Sequence, residues 1–440
     1  MMEQFVHSAW SMIPFGVMLL IIAIVPLIAE HWWESNRHKL VVALILGIPT
    51  AICLMAGGML HELEHQLFGD YIPFIILLLA LYVITGGIHL AGDIQAKPWV
   101  NTTFLGLGWL LASLMGTTGA AMLLIRPLLT TNQQREHKVH TVLFFIALCA
   151  NCGGLLTPLG DPPLFMLFLR GAEFGWFVSL FPQWLLVGLL LLLIYFVLDT
   201  YYYKKEHWTS LSADVREHKP LSLHGKTNLI YLLGVILAVA FVHSGTIPTM
   251  AEEGAALWLK YLREIILLVL IAMSLYTTKH TVRYDLNKYS WAPIIEVAVL
   301  FFGIFITMTP ALAYLNVNAA SLGLSHAWQF YYATGALSSF LDNTPTAVAF
   351  HSIASGLTPD QMAAFGENVV AGVPELLLQA ICLGAVLFGA MTYIGNGPNF
   401  MVKAIAEESG IKMPSFFGYM FKFSLILLLP VYILVQLIFL

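Results

Sequence analysis

Residues 339–346, SFLDNTPT, interrupt a long apolar stretch with polar side chains and a proline. Asp342, Asn343 and Thr344 are the polar residues at its centre. At membrane depth, non-helical backbone is tolerated only where protein or a water-filled cavity surrounds it. We therefore expect residues 323–354 to form two half-helices that turn back at the middle of the membrane, as a re-entrant hairpin.

A second stretch, residues 101–128, has the same design. Its centre is GTTG at 116–119, which places Thr117 and Thr118 between two glycines. Glycine and small hydroxyl side chains favour a turn over a continuous apolar helix. The sequence therefore predicts two re-entrant hairpins, one in each half of the chain.

The composition around these stretches is that of a membrane protein. Of the 440 residues, 59% are hydrophobic and 10% are charged, and the mean hydropathy is +0.81. Soluble domains carry about 25% charged residues, so a soluble enzyme and a disordered chain are excluded, and four cysteines exclude a disulfide scaffold. Apolar runs long enough to cross a bilayer recur along the chain. About ten full spans are predicted, near residues 9–29, 39–58, 71–91, 140–169, 176–200, 227–246, 261–277, 291–312, 374–402 and 416–440.

Lysine and arginine residues predict the orientation. With both hairpins returning to their own side, sixteen of the 20 Lys and Arg residues fall in one set of loops and three in the opposite set. Cytoplasmic loops carry the excess of positive charge. The sequence therefore predicts an all-α, multi-pass protein of a bacterial-type inner membrane, with both termini outside.

Short similarities indicate an internal repeat. The segments around Pro73, Ser113 and Gly160 resemble those around Pro293, Ser339 and Gly395, in the same order. Each half would contain five spans, one hairpin and one broken helix, and an odd number of spans inverts the second copy. The predicted repeats are residues 1–200, with broken helix 140–169, and residues 227–440, with broken helix 374–402; residues 201–226 form a cytoplasmic linker. Inverted repeats with interrupted helices indicate a secondary transporter with a site at the membrane midplane.

Three carboxylates within apolar sequence are the strongest functional candidates, namely Asp161, Asp342 and Glu296. A charge at the bilayer centre costs about 2.5–3.5 kcal/mol on insertion scales, so it marks function. A carboxylate in such surroundings can hold a proton or a metal cation, which is the basis of cation/proton antiport. Asp161 has an alternative role as a helix cap, and Glu296 is close enough to a span end to reach the interface.

Neutral oxygen atoms complete the candidate site. Sodium, like other hard cations, prefers oxygen ligands. The candidate proton- or cation-binding residues are Asp161, Asp342, Asn343, Thr344, Asn151, Asn396, Thr117, Thr118, Ser339 and Glu296, and the four candidate metal ligands among them are Asp161, Asp342, Asn151 and Asn343.

One motif indicates a different class of protein. His61, Glu62 and His65 fit H-E-x-x-H, in which two histidines bind zinc and the glutamate acts as general base. An intramembrane zinc metalloprotease is therefore a distant alternative. The motif lies in a short acidic loop before Asp70, and no third ligand stands out in the sequence.

The segments 151–163 and 339–346 resemble the signatures of the ion transporter superfamily. That group includes NhaD-type sodium/proton antiporters, arsenite pumps, citrate carriers and dicarboxylate carriers. The resemblance implies two inverted repeats of five spans and a hairpin, a homodimer, and an elevator-like movement of a transport domain against a scaffold. Dicarboxylate carriers bear Ser-Asn-Thr at both hairpin tips, whereas here the second tip has Asp342-Asn343-Thr344 and the first has Gly116-Thr117-Thr118.

The sequence thus favours the NhaD-like branch. It predicts a transporter, not an enzyme, that exchanges sodium or lithium ions for protons across the lipid bilayer. No cofactor is expected beyond the transported sodium ion and proton, and no nucleic-acid partner. Arsenite transport and citrate or dicarboxylate transport stay open as alternatives within the same superfamily.

Overall fold

The computed structural model describes residues 8–216, 219–252 and 254–440. Its α-helices are Ile13–Ile28, Glu30–Trp33, Asn36–Ala56, Leu60–Glu64, Ile72–Thr85, Pro98–Met115, Thr117–Thr131, Val139–Leu148, Pro162–Leu169, Phe181–Tyr203, Trp208–Arg216, Thr227–Phe241, Leu257–Lys260, Leu262–Thr277, Ala292–Val317, Ala327–Ser338, Asn343–Ser355, Pro359–Ala363, Glu375–Phe388, Gly397–Glu408, Phe416–Tyr419 and Leu429–Phe439. Short 3₁₀ segments are Ala9–Met12, Cys152–Leu156, Phe174–Leu180, Pro248–Ala251, Ala319–Leu322 and Gly389–Met391, and π-helical segments are His65–Tyr71, Thr281–Leu286 and Met420–Leu428.

The all-α membrane architecture is confirmed in its coarse form. Within the described residues, seven helical stretches are long and apolar enough to cross a membrane: Ala9–Pro26, Asn36–Ala56, Leu60–Thr85, Val139–Leu156, Phe174–Tyr203, Ala292–Val317 and Phe416–Phe439. The other three predicted spans correspond to shorter helices, Thr227–Phe241, Leu262–Thr277 and Glu375–Phe388. The inverted orientation of the two halves and the positions of the termini stay predictions, and residues 1–7 lie outside the described part of the chain.

Residues 98–131 form a helical hairpin, called hairpin 1. Its arms, Pro98–Met115 and Thr117–Thr131, meet at Gly116, whose φ of 79° is a conformation that favours glycine. At the opposite end, the amides of Asn101 and Asn132 exchange hydrogen bonds of 2.8 and 2.9 Å. The arms are therefore antiparallel. The hairpin begins three residues before the predicted range of 101–128 and ends three residues after it.

Residues 327–355 form hairpin 2. Its arms are Ala327–Ser338 and Asn343–Ser355, and its tip is residues 339–342. The rings of Phe330 in the first arm and Phe350 in the second lie 6.4 Å apart. The arms are therefore antiparallel here too, within the predicted range of 323–354 extended by one residue.

Two broken helices lie between these hairpins and form much of the buried core. Broken helix 1 consists of Val139–Leu148 and Pro162–Leu169, and broken helix 2 of Glu375–Phe388 and Gly397–Glu408. Both run close to the predicted ranges, 140–169 and 374–402, although the second extends six residues further. Most side chains of their first segments are buried, whereas those of Ile13–Ile28 and Asn36–Ala56 include many exposed large apolar residues, as expected of helices that face lipid.

The break in each broken helix binds the neighbouring hairpin in an equivalent way. The hydroxyl of Thr157 donates to the carbonyl of Ser113 in hairpin 1, and that of Thr392 donates to the carbonyl of Ser339 in hairpin 2. These pairs occupy corresponding positions in the predicted repeat. A threonine hydroxyl in each break therefore fastens one hairpin close to its tip.

The predicted linker, residues 201–226, is more structured than a loop. It contains the end of Phe181–Tyr203, the helix Trp208–Arg216 and the strand Lys219–His224, while residues 217–218 lie outside the described part. The strand pairs antiparallel with His89–Asp93, with Leu223 opposite Leu90. A second two-stranded ladder joins Val369–Val370 to Val373–Pro374.

A buried ionic cluster fixes the base of hairpin 1. Arg135 Nη1 lies 2.7 Å from the carboxylate of Asp199, which also lies 2.8 Å from His140 Nε2. The carboxylate of Glu206 lies 3.6 Å from Arg135 Nε and accepts hydrogen bonds from the two backbone N–H groups that follow Arg135. All of these charged groups except His140 are at most 2% exposed. The cluster joins the hairpin, broken helix 1 and the linker at one point.

Arg135→Met is expected to destabilise the protein by about 3–5 kcal/mol, because it leaves two buried carboxylates without their cation. The measurement is thermal or denaturant unfolding of the purified protein in detergent. Lys403→Met is the control, since the surface pair of Lys403 with Glu407 contributes about 0.5 kcal/mol. Equal stabilities of the two variants would contradict a structural role for the cluster.

Candidate functional site

The carboxylate of Asp161 lies at the junction of both hairpin tips and both broken helices. It is fully buried. It accepts hydrogen bonds from Thr117 Oγ1 at 3.0 Å, from Asn343 Nδ2 at 2.9 Å and from Asn396 Nδ2 at 3.0 Å. Three separate segments thus supply neutral donors to one buried negative charge.

Local sequence explains why this carboxylate is available. Asp161 is the N-cap residue of Pro162–Leu169, but its side chain makes no capping hydrogen bond. Pro162 and Pro163 occupy the first two helical positions and have no N–H to donate. The capping alternative for Asp161 is therefore not realised, and its carboxylate is left to accept bonds from the tips.

Four helix N-termini meet around Asp161. They begin at Thr117, Pro162, Asn343 and Gly397, and the backbone N–H of Thr117 donates to the carbonyl of Gly160, next to Asp161, at 2.8 Å. A helix N-terminus carries partial positive charge and unpaired N–H groups. The site therefore combines a positive backbone field with a single buried carboxylate.

Asparagine side chains connect the two broken helices behind Asp161. Asn151 donates to the side-chain oxygen of Asn399 at 2.7 Å and to the carbonyl of Ile146 at 2.8 Å. Asn396 donates to Asn151 Oδ1 at 3.3 Å, so Asn151 is connected to Asp161 through the Asn396 amide. Asn399 is not among the predicted site residues. It lies beside Asn396 in the same glycine- and proline-rich break, and this position could have marked it as a candidate.

At the tip of hairpin 2, the predicted residues have different roles. Asp342 caps the second arm by accepting the N–H of Thr344 at 2.9 Å. The hydroxyl of Thr344 is buried and has no hydrogen-bond partner among the described residues. Asn343 is held in place by Ser338, whose hydroxyl donates to Asn343 Oδ1 at 2.6 Å. Ser338 is a further residue that the sequence did not single out.

The structure does not bring Ser339 to the carboxylate of Asp161. The Ser339 hydroxyl donates to the carbonyls of Gly335 at 2.9 Å and Phe388 at 3.3 Å. It lies one turn along from Gly335, a position from which a serine bonds back to its own helix. Ser339 thus contributes to the packing of hairpin 2 and not to the donor set around Asp161.

A cavity of about 420 Å³ lies beside the tips. Its wall includes Thr117, Thr118, Asp342 and Asn396 on the side of the hairpins and broken helices. The opposite wall comes from the helices Ile13–Ile28, Ile72–Thr85 and Ala292–Val317, and includes Glu296. Among the described residues that line it, none is Lys or Arg.

Glu296 lines this cavity but does not join the hydrogen bonds of Asp161. Its carboxylate lies 2.6 Å from Lys39 Nζ in the helix Asn36–Ala56. Of the three predicted carboxylates, Glu296 is therefore the one with a basic partner. Among the described residues, no Lys, Arg or His lies within ion-pair distance of Asp161 or Asp342.

The zinc-hydrolase alternative gains no support from the geometry. His61, Glu62 and His65 are exposed, the first two on the short helix Leu60–Glu64 and His65 at the start of the π-helical segment His65–Tyr71. Within residues 8–216, 219–252 and 254–440, no group of three or more His, Cys, Asp or Glu side chains has the arrangement of a metal site. Among these residues, the motif therefore has no third protein ligand of the kind that a catalytic zinc requires.

A family model described as "Putative citrate transport" matches residues 4–440 of the chain. The chain belongs to this family, CitMHS_2. A further relative is the inner membrane protein YbiR of Escherichia coli (strain K12), which is 31% identical over 117 residues. That similarity covers 24% of this chain and 32% of YbiR, so the chain matches about a third of the length of this curated relative.

Membership of CitMHS_2 agrees with a transporter of the ion transporter superfamily and with a multi-pass membrane protein. It does not confirm the NhaD-type assignment, and it favours the citrate alternative over the sodium/proton antiporter that the tip residues suggested. That assignment rests on the departure of both tips from Ser-Asn-Thr, with Asp342-Asn343-Thr344 at one tip and Gly116-Thr117-Thr118 at the other. A difference at two short tips is weaker evidence than a match along almost the whole chain.

Gly160→Ala is expected to disrupt the site, because a Cβ at this position would lie 1.9 Å from the carbonyl oxygen of Gly154. A Cβ added at Gly395 would likewise lie 2.6 Å from the carbonyl oxygen of Gly389. Overpacking of this kind costs about 1–3 kcal/mol, and here it displaces the backbone next to Asp161. We expect a lower melting temperature and loss of transport.

Gly175→Ala is the matched control, since a Cβ there meets nothing within 4 Å. Both variants are compared by thermal unfolding and by transport in proteoliposomes. Normal transport by Gly160→Ala would show that the close approach of the two glycines is not required.

Proposed function

We propose that this protein is a secondary transporter of citrate-class carboxylates that couples their movement to sodium ions or protons bound at Asp161 and Asp342. The observation that carries the proposal is the environment of Asp161: a buried carboxylate with neutral donors only, at the meeting point of four helix N-termini. Membership of CitMHS_2 supports the substrate class.

The positive ends of the helices supply the anion-binding part of this proposal. Discontinuous helices whose N-termini point at an anionic substrate are a recurring device of transporters. Thr118 and Asn396 line the cavity at the N-termini of Thr117–Thr131 and Gly397–Glu408. A substrate carboxylate that enters the cavity would meet these N-termini and polar side chains.

The carboxylates of the protein supply the coupling. A polycarboxylate in this cavity faces Asp342 and Glu296, while no Lys or Arg lines the wall among the described residues. Like charges at close range in a medium of low dielectric repel strongly. A proton or a sodium ion bound at Asp161 or Asp342 removes this repulsion, so binding of the anion and of the cation favour each other.

The location of the cavity supports a cytoplasm-facing state. Trp33 and Pro293 line it, and they lie next to loops that the distribution of Lys and Arg predicts to be cytoplasmic. Alternating access would follow from movement of the hairpins and broken helices against the helices of the opposite wall, in an elevator-like manner.

Sodium/proton antiport is the second candidate. It is favoured by Asp161 and Asp342, which have no basic partner within ion-pair distance in the described part of the chain. Carboxylates in this condition can exchange a proton for sodium or lithium without any organic substrate. The two candidates therefore share the cation site and differ in whether the cavity takes a carboxylate.

Proteoliposomes loaded with a pH-sensitive dye and supplied with labelled citrate separate the two candidates. We expect citrate uptake that depends on an imposed sodium or proton gradient. Sodium-driven proton movement that is independent of citrate would support antiport in its place and would contradict carboxylate transport.

Asp342→Asn is expected to fold, because asparagine is also a favourable N-cap residue. Asp161→Asn keeps the shape of the side chain but leaves at least one of its three donors without an acceptor, so its folding is checked by its melting temperature. Asp161→Asn should reduce gradient-driven uptake to the background level, since it removes the buried charge that attracts the cation. Glu407→Gln, which neutralises a surface carboxylate, should transport normally. Unchanged coupling in Asp161→Asn would show that the cation binds elsewhere.

A further inference from the structure

Lys39 lies directly behind the wall of the cavity. Its side chain is 3% exposed, and its ammonium lies 2.6 Å from Glu296 Oε1 and 5.8 Å from the ring centroid of Trp33. Glu296 and Trp33 both line the cavity. Lys39 is therefore separated from the cavity by two side chains, one of which is its own ion-pair partner.

The ion pair is not needed to join the two helices that carry it. Near the N-terminus of each helix, Asn36 Nδ2 donates to the carbonyl of Ala292 at 3.1 Å, and the small residues Ala43 and Gly303 pack in close contact further along. A buried ion pair contributes little net stability, because the desolvation of its charges offsets their attraction. The position of Lys39 beside the cavity thus calls for a reason other than packing.

The charge of Lys39 complements the substrate proposed above. An ammonium has three N–H donors, and a carboxylate is the anion that Glu296 already presents to it. Glu296 is 39% exposed, so a displaced Glu296 side chain can return to the water of the cavity. No other Lys or Arg of the described residues lines the cavity or pairs with a carboxylate that lines it.

We propose that Lys39 binds a carboxylate group of the substrate and that Glu296 holds this cation in reserve until the substrate displaces it. The inference rests on the proposed carboxylate transport and adds the residues that select for an anionic substrate. Glu296 lies on the wall opposite the hairpin tips, and Lys39 lies directly behind it. A substrate with two or more carboxylates can therefore contact Lys39 at one end and the helix N-termini at the other.

The test compares Lys39→Met and Glu296→Gln in the full-length protein by the kinetics of citrate uptake. Lys39→Met should raise KM for citrate about tenfold, the effect of losing one charge-assisted hydrogen bond, with a smaller change in kcat. Glu296→Gln should lower KM, because the substrate then competes with no carboxylate for the ammonium.

Opposite directions of the two changes in KM identify a substrate ligand. An ion pair that only stabilises the fold predicts the same direction for both variants, and this result would overturn the proposal. Glu407→Gln is the matched control: its carboxylate pairs with Lys403 at 2.7 Å and is 42% exposed, close to the 2.6 Å and 39% of Glu296. Its KM should equal that of the unaltered protein.

A binding measurement covers variants that transport poorly. In detergent, citrate should raise the melting temperature of the unaltered protein and of Glu296→Gln. It should raise the melting temperature of Lys39→Met, and of the variant that combines Lys39→Met with Glu296→Gln, much less. Citrate transport by the unaltered protein with no difference among these variants would overturn the role of Lys39 alone. Absence of both citrate transport and citrate binding in the unaltered protein would overturn the proposed function as well.

Discussion

The arrangement of the centre of this protein depends on one buried carboxylate. A buried charge is costly unless its hydrogen-bonding capacity is filled, and Asp161 has no cationic partner within ion-pair distance among the described residues. Its donors come from the tip of hairpin 1, the tip of hairpin 2 and broken helix 2. Each of these segments is interrupted at the point where it reaches Asp161. The interruptions therefore place the donors that fill the hydrogen-bonding capacity of this carboxylate.

Equivalent devices support the site in both halves of the chain. A threonine hydroxyl in each break donates to a hairpin carbonyl. A pair of glycines in each broken helix allows two backbone segments to pack closely against each other. Asp161 and Asn396 share nearly the same extended backbone conformation. The side chains at this equivalent position differ in charge. One half supplies the acceptor and the other supplies a donor to it, so Asp161 and Asn396 are alike in backbone conformation and complementary in chemistry.

The comparison with CitMHS_2 changes the functional emphasis without changing the site. Buried carboxylates beside neutral amides suit an antiporter. They equally suit a carrier in which a proton or sodium ion bound at these carboxylates offsets the negative charge of a polycarboxylate substrate. The tip sequence alone favoured the first option because Asp342 departs from the Ser-Asn-Thr pattern. The cavity adds a second consideration: its wall carries carboxylates, and Lys39, which lies behind this wall, is shielded from it by Glu296.

The membrane class, the two interrupted hairpins, the two broken helices and most of the polar residues near Asp161 are predictable from the amino-acid sequence. Hydropathy, glycine and proline positions and isolated carboxylates are local features of the sequence, and they can be recognised without knowledge of the tertiary contacts. Which of these groups meet is visible only in the folded chain. Asn343 and Asn396 reach Asp161 across 182 and 235 residues of chain. The Ser339 hydroxyl bonds to Gly335 in its own arm, Lys39 pairs with Glu296, and Arg135 pairs with Asp199. These outcomes depend on how separate helices pack, because a hydrogen bond or an ion pair requires a few ångströms of proximity that no local pattern specifies.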